Sequence, residues 1–236
     1  MFKIVFFLKT DISFNKINKL AIPALIAGIA EPLISITDTA IIGNIDYNAK
    51  ESLGAIAIVG SFLSMLIWVF AQTRSAVSSI ISTYLGANKL EKVKTLPAQA
   101  MSIVVGLGFL IIILTYPFSE FIFQAFGADQ NILTYAVDYY EIRIIGLPFT
   151  LFVFTVFGTF RGLQNTITPM AIALVGTSLN IVLDIILVYG IEGILSPMHI
   201  YGAAYASVIA QVTMAGLAVF LLYKKRYCFC KWGKSN

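Results

Sequence analysis

The stretch from Leu20 to Ile45, LAIPALIAGIAEPLISITDTAIIGNI, is long and apolar enough to cross a bilayer, yet it carries two acids, Glu31 and Asp38, and two prolines, Pro23 and Pro32. A charged side chain near the centre of a membrane helix costs about 3 kcal/mol on insertion scales, so such residues face a protein interior or a water-filled cavity. At about 100° per residue, positions seven apart return to one face, which puts Glu31 and Asp38 together with Ser35 and Gly28 between or beside them. Each proline removes a backbone donor and opens a turn. The stretch therefore predicts a bendable helix with one polar inner face, suited to lining a cation-binding cavity in a transporter.

The rest of the chain is of the same kind. Of its 236 residues, 58% are hydrophobic and only 12% charged, against roughly 25% charged in soluble domains. Mean hydropathy is +0.87. Further apolar runs at 52–85, 97–126, 139–160, 169–190 and 200–223 give six spans; the third contains Pro117, and a bend is expected in the fourth at Gly146 and Pro148. The predicted fold is all-α and polytopic: an interfacial N-terminal segment 1–19, a six-helix transmembrane lobe 20–223, and a basic cytoplasmic tail 224–236. The opening MFKIVFFLKT has too short an apolar run, and no small-residue cleavage site, for a signal peptide. Neither an internal repeat nor a soluble domain stands out.

Charge sets the orientation. Lys3, Lys9, Lys16 and Lys19 precede span one, Lys89, Lys92 and Lys94 follow span two, and Arg161 follows span four. Lys224, Lys225, Arg226, Lys231 and Lys234 follow span six, so thirteen of the sixteen basic residues share one side, while Lys50 lies in an opposite-side loop and Arg143 near the mouth of span four. The positive-inside rule makes that side cytoplasmic and places both termini there, in the inner (plasma) membrane. The net charge of +4 is explained by topology, with no nucleic-acid partner required. Cys228 and Cys230 form neither a disulfide framework nor a metal site and read as inert thiols.

A second buried acid, Asp184, lies in SLNIVLDIILVYG, with Asn180 one turn earlier on the same face. A cavity holding Asp38, Asn180 and Asp184 offers hard oxygen ligands for a Na⁺ ion and equally a site for a proton. The structural alternative is that either acid is paired with Arg74 or capped by Ser and Thr. Arg74, the one cation well inside a span, has three readings: a partner for Glu31 or Asp38, a binder of an anionic substrate group, or a snorkelling side chain. Thr37 and Thr39 read as helix-to-helix hydrogen-bonders, and Ser75, Ser78, Ser79 and Ser82 as small packing residues. His199 reads as a solvated side chain, with a proton relay as the alternative. Phe149, Phe152, Phe154 and Phe157 could line a pocket for a lipophilic cation, but lipid-facing rings are the plainer reading. Walker, dinucleotide, GxSxG and zinc-spaced patterns are missing, which argues against an enzyme and against a cofactor, and leaves an ion gradient or a partner as the energy source.

Several stretches together resemble the multidrug and toxic compound extrusion (MATE) transporters, in the branch that includes the DNA-damage-inducible F proteins. IPALIAGIAEPLISITDTAIIGN resembles the family's first helix, with Pro23 and Asp38 on its proline and aspartate. FAQTRSAVSSIISTYLGANK is similar to the second helix and its loop. RGLQNTITPM is similar to the RGxxDTxTPM connection, with Asn165 where an acid is usual. SLNIVLDIILVYG and YGAAYASVIAQ resemble helices five and six. The resemblance implies one six-helix lobe, which in the family packs against a second lobe around a cleft open to alternate membrane faces. It implies cation coupling at Asp38, Asn180 and Asp184, a hydroxyl contribution from Ser207, and bending at Pro23. Ile185 stands where many members have proline.

This chain ends just after span six with KKRYCFCKWGKSN, where the family continues into its second lobe. The expectation is a truncated N-lobe of a Na⁺- or H⁺-coupled antiporter for organic, cationic compounds. The alternative is assembly with another copy or a separate second lobe. The rivals are a lipid-linked precursor flippase, which would need a strongly cationic cavity, and a non-transporting membrane subunit or scaffold.

Overall fold

The computed structural model describes residues 13–46 and 48–232, except for the side chains of Glu31 and residues 225–232. Among the described residues, eight α-helices build six segments long and apolar enough to cross a membrane. Helices α1 (Phe14–Gly43) and α2 (Ala49–Gly86) each cross once. The third crossing is α3 (Leu96–Thr115) and the short α4 (Ser119–Ala125), separated by a 3₁₀ turn holding Pro117. The fourth is α5 (Gln130–Arg143) and α6 (Leu147–Gly162), broken at Ile144–Gly146. Helices α7 (Ile167–Tyr189) and α8 (His199–Trp232) complete the set. Apart from one isolated bridge, Ile191 to Leu195, the described residues contain no strand.

Several boundaries move outward from the sequence expectation. Helix α1 starts at Phe14, inside the segment 1–19 assigned to the interface, and α8 runs through the start of the basic tail. The bend expected at Gly146–Pro148 occurs as a break, and Pro117 makes another in the third crossing, because a proline lacks the donor that the preceding turn needs. Local chemistry sets the starts. The Asp129 Oδ1 accepts the Ile132 amide at 3.0 Å and caps α5. The Asn165 Oδ1 accepts both the amide and the hydroxyl of Thr168, at 3.2 and 3.1 Å, at the start of α7.

The centre of the lobe is α6, with thirteen of its sixteen residues buried. It packs against α2 and α3, with α8 alongside; α7 lies between α1 and α8, and α5 between α2 and α8. Two glycines let α2 approach: a Cβ on Gly158 would stand 2.5 Å from the Arg74 carbonyl oxygen, and one on Gly162 would stand 2.9 Å from that of Ser78. Without a hydrophobic force between helices in lipid, such backbone proximity supplies much of the packing. Phe154 and Phe157 therefore point into the core and Phe149 and Phe152 are half-buried, which corrects the lipid-facing expectation. The apolar exterior comes instead from residues such as Leu25, Ile29 and Ile36 on α1 and Trp68 and Val69 on α2.

Candidate functional site

Asp38 lies six residues before the start of the loop after α1, and only 5% of it is exposed. Its helix neighbours on the inward face are Ala27, Ala30, Ile41 and Ile42, whereas Ser35 and Gly28 turn outward. Helix α7 packs beside α1 and presents Asn180 and Asp184, both fully buried. The Tyr189 hydroxyl donates to the Ile41 carbonyl at 3.0 Å and fixes the register of the two helices one turn beyond the acids. Helix α8 closes the third side. Gly202 permits this, since a Cβ there would stand 2.6 Å from the Leu187 carbonyl carbon. One and a half turns further on, the Asn180 amide donates to the Ser207 hydroxyl at 3.3 Å.

The carboxyl groups of Asp38 and Asp184 lie close enough to act directly on one another. Among the described residues no donor serves the Asp38 Oδ1, either Asp184 oxygen or the Asn180 Oδ1, though all four are shut off from solvent. Buried acceptors are almost always paired, and two carboxyl oxygens cannot satisfy each other unless a proton or a cation stands between them. Four oxygens of this kind, from two helices, form a site for positive charge. Among the described residues no three His, Cys, Asp or Glu side chains come together, so the oxygen set is two acids plus neutral groups.

Sequence reasoning did not place one further member here. Arg143, in the last turn of α5, acts electrostatically on both carboxyls, and its guanidinium carbon lies 5.9 Å from the centre of the Tyr139 ring. Its position at the mouth of span four was expected; the break at 144–146 brings it inside. A usable signal was present in the Gly146 and Pro148 bend, because a helix that ends there turns negative carbonyl ends towards a cation in its last turn.

The other expected residues separate. Arg74 lies over the Phe154 ring, 5.0 Å from its centre, and Asp38 has Asp184 and Arg143 as neighbours instead of Arg74. Glu31 lies beside this region by position, but its side chain is outside the described residues. Pro23 sits half-buried inside α1, which remains a continuous helix. Thr37 and Thr39 bond back to the Leu33 and Ser35 carbonyls of their own helix, each at 2.8 Å, instead of reaching another helix. His199 opens α8 with a left-handed φ of 48°. Cys228 and Cys230 fall where side chains are not described.

Comparison with known proteins follows the same outline. The MatE family model matches residues 23–186, which include both acids, Asn180 and the whole of α6. The chain belongs to the MATE family. Its kin are transporters and not enzymes. DNA damage-inducible protein F of Escherichia coli is 29% identical over 205 residues, covering 87% of this chain and 43% of that protein. The probable multidrug resistance protein NorM of Thermotoga maritima is 26% identical over 218 residues, covering 89% and 45%. A crystal structure of MATE in the bent conformation superposes with a TM-score of 0.81 at 25% identity, again over 89% of this chain and 45% of that one. The chain thus spans less than half the length of these MATE relatives and corresponds to one lobe.

Proposed function

We propose that this chain is the N-terminal lobe of an antiporter that exports organic cations and drugs across the inner membrane, with Na⁺ or H⁺ bound among Asp38, Asn180, Asp184 and Ser207 as the coupling ion. The observation that carries this reading is the set of four buried acceptor oxygens with no donor, gathered from α1 and α7. The family membership supports export as the activity, and names such as multidrug export protein MepA of Staphylococcus aureus support an organic substrate. A second six-helix lobe completes the cleft, supplied by the remainder of a longer polypeptide or by another chain. Both ends of the lobe face the cytoplasm, as the basic residues direct.

The coupling works through differential binding. A cation held between Asp38 and Asp184 draws α1 towards α7, and its release lets the two acids repel and part. A ligand moves a conformational equilibrium only as far as it prefers one state. Pro23, which leaves α1 one backbone bond short, is where the helix yields. The test is gradient-driven drug efflux by the assembled two-lobe transporter. Asp38→Asn and Asp184→Asn are each expected to lower it about tenfold or more, within the usual range of coupling energies. Export at the wild-type rate by both variants would overturn the assignment.

A further inference from the structure

Arg143 occupies an unusual place for a cation. It is half-buried, its Nε is shut off from solvent with no acceptor among the described residues, and its guanidinium leans on Tyr139, itself 2% exposed. Tyr139 belongs to one apolar cluster with Ile41 and Ile42 of α1, Val188 of α7 and Ala203 and Ala204 of α8. These are the residues within about a turn of Asp38, Asp184 and Ser207, so Arg143 shares their compartment. Yet no ion-pair contact joins it to either acid. Among the described residues the one such contact is the exposed Lys94–Glu91 pair. The other acids on α5 are engaged elsewhere: Asp138 accepts from the Tyr201 hydroxyl at 2.9 Å and Glu141 from that of Tyr116 at 3.1 Å.

The charge count then has three members. Among the described residues, two carboxylates and one guanidinium leave a single negative charge beside acids that are themselves buried, and an uncompensated charge there is costly. We propose that Arg143 is a chain-borne cation of the coupling site, which limits the site's capacity to one monovalent cation and weakens the hold on it. The inference rests on the reading of Asp38 and Asp184 as the coupling pair. Because Arg143 stands off from the acids, it offsets their charge without filling the space between them. An arginine salt-bridged to either acid would have blocked that space, and one absent altogether would have left room for two cations. The incoming cation therefore competes with a fixed charge, and release into either aqueous phase is easier than from two bare carboxylates.

Occupancy can be counted on the full-length chain in detergent at neutral pH, as radiolabelled Na⁺ retained in equilibrium dialysis plus protonated carboxyls read from their infrared C=O stretch. Asp38→Asn and Asp184→Asn assign the signal to the pair. One cation per chain is expected for the wild type and for Arg143→Lys, which keeps the charge. Arg143→Gln is expected to raise the count towards two and to hold the first cation about tenfold more tightly or better. A glutamine variant that elutes and shows helical circular dichroism like the wild type, but keeps a count of one at unchanged affinity, would overturn the proposal. If that variant does not fold, the wild-type count decides, since two cations per chain would exclude a charge-limiting arginine. Failure of the underlying coupling assignment looks different: the wild type and both aspartate variants would then bind cations alike.

Discussion

Helices α6 and α7 both bury polar side chains deep in the membrane, and they treat them in opposite ways. In α6 the hydroxyls of Thr150, Thr155 and Thr159 each donate to the carbonyl one turn earlier, at 3.3, 3.0 and 3.0 Å. In α7 the Thr177 hydroxyl, the Asn180 carbonyl and both Asp184 oxygens are buried without a partner among the described residues. A polar group that satisfies itself inside its own helix asks nothing of its surroundings and can pack like an apolar one. A row of groups left unsatisfied is a standing demand for a ligand. Helix α6 is therefore the scaffold of the lobe and α7 its working element.

The largest effect that sharpens this contrast belongs to the scaffold. Gly158→Leu forces a side chain against the α2 backbone, where even a Cβ meets the Arg74 carbonyl oxygen at 2.5 Å and its Cα at 3.0 Å. Backbone cannot step aside as a flexible side chain can, so the cost is expected to reach about 3 kcal/mol or more. The measurement is the yield of monodisperse protein in detergent together with its thermal midpoint. A Gly158→Leu protein as stable as the wild type would show that α2 and α6 do not depend on this approach.

How much of this was legible in the sequence differs between the two elements. The acids of α1 and α7 were readable because a charge inside an apolar stretch has few permitted explanations, and Asn180 shared a face with Asp184 by simple helical geometry. Ser207 was reachable only through the family resemblance, since a serine in a membrane helix is otherwise unremarked. The scaffold role of α6 was hidden. Its apolar residues surround the helix on every side, so periodicity cannot separate a core face from a lipid face. The spacing of Gly158 and Gly162 was the clue that went unread. Arg143 was displaced to the span's mouth because 130–138 reads as polar loop, whereas it folds as the first half of a broken crossing.

A smaller effect is expected at the start of α7, where Asn165 caps the helix. Asn165→Ala removes the oxygen that holds the Thr168 amide and hydroxyl, and capping losses of this kind cost about 1 kcal/mol. Asn165→Asp keeps an acceptor at the same place and restores the residue usual in the family's motif, so its thermal midpoint is expected to match or exceed that of the wild type. If alanine and aspartate behave alike, the start of α7 is held by packing and not by this cap.

The smallest effects give the most direct comparison of the two helices. Thr155→Val deletes a hydroxyl whose only bond is to Leu151 of its own helix, and valine matches threonine in shape, so stability is expected to stay within about 0.5 kcal/mol with cation binding untouched. Thr177→Val deletes a hydroxyl that is buried and unpartnered two turns below Asp184 on the same face of α7. Removing an unsatisfied group relieves its desolvation, so the valine variant is expected to gain up to about 1 kcal/mol in thermal or denaturant stability. The same change takes a polar group from the approach to the acids, and cation affinity is expected to fall two- to threefold, or about 0.5 kcal/mol. Opposite signs for stability and affinity at Thr177, beside no change in either at Thr155, are what an element built for a ligand predicts. Equal behaviour at the two positions would mean that α7 buries its polar groups for packing alone.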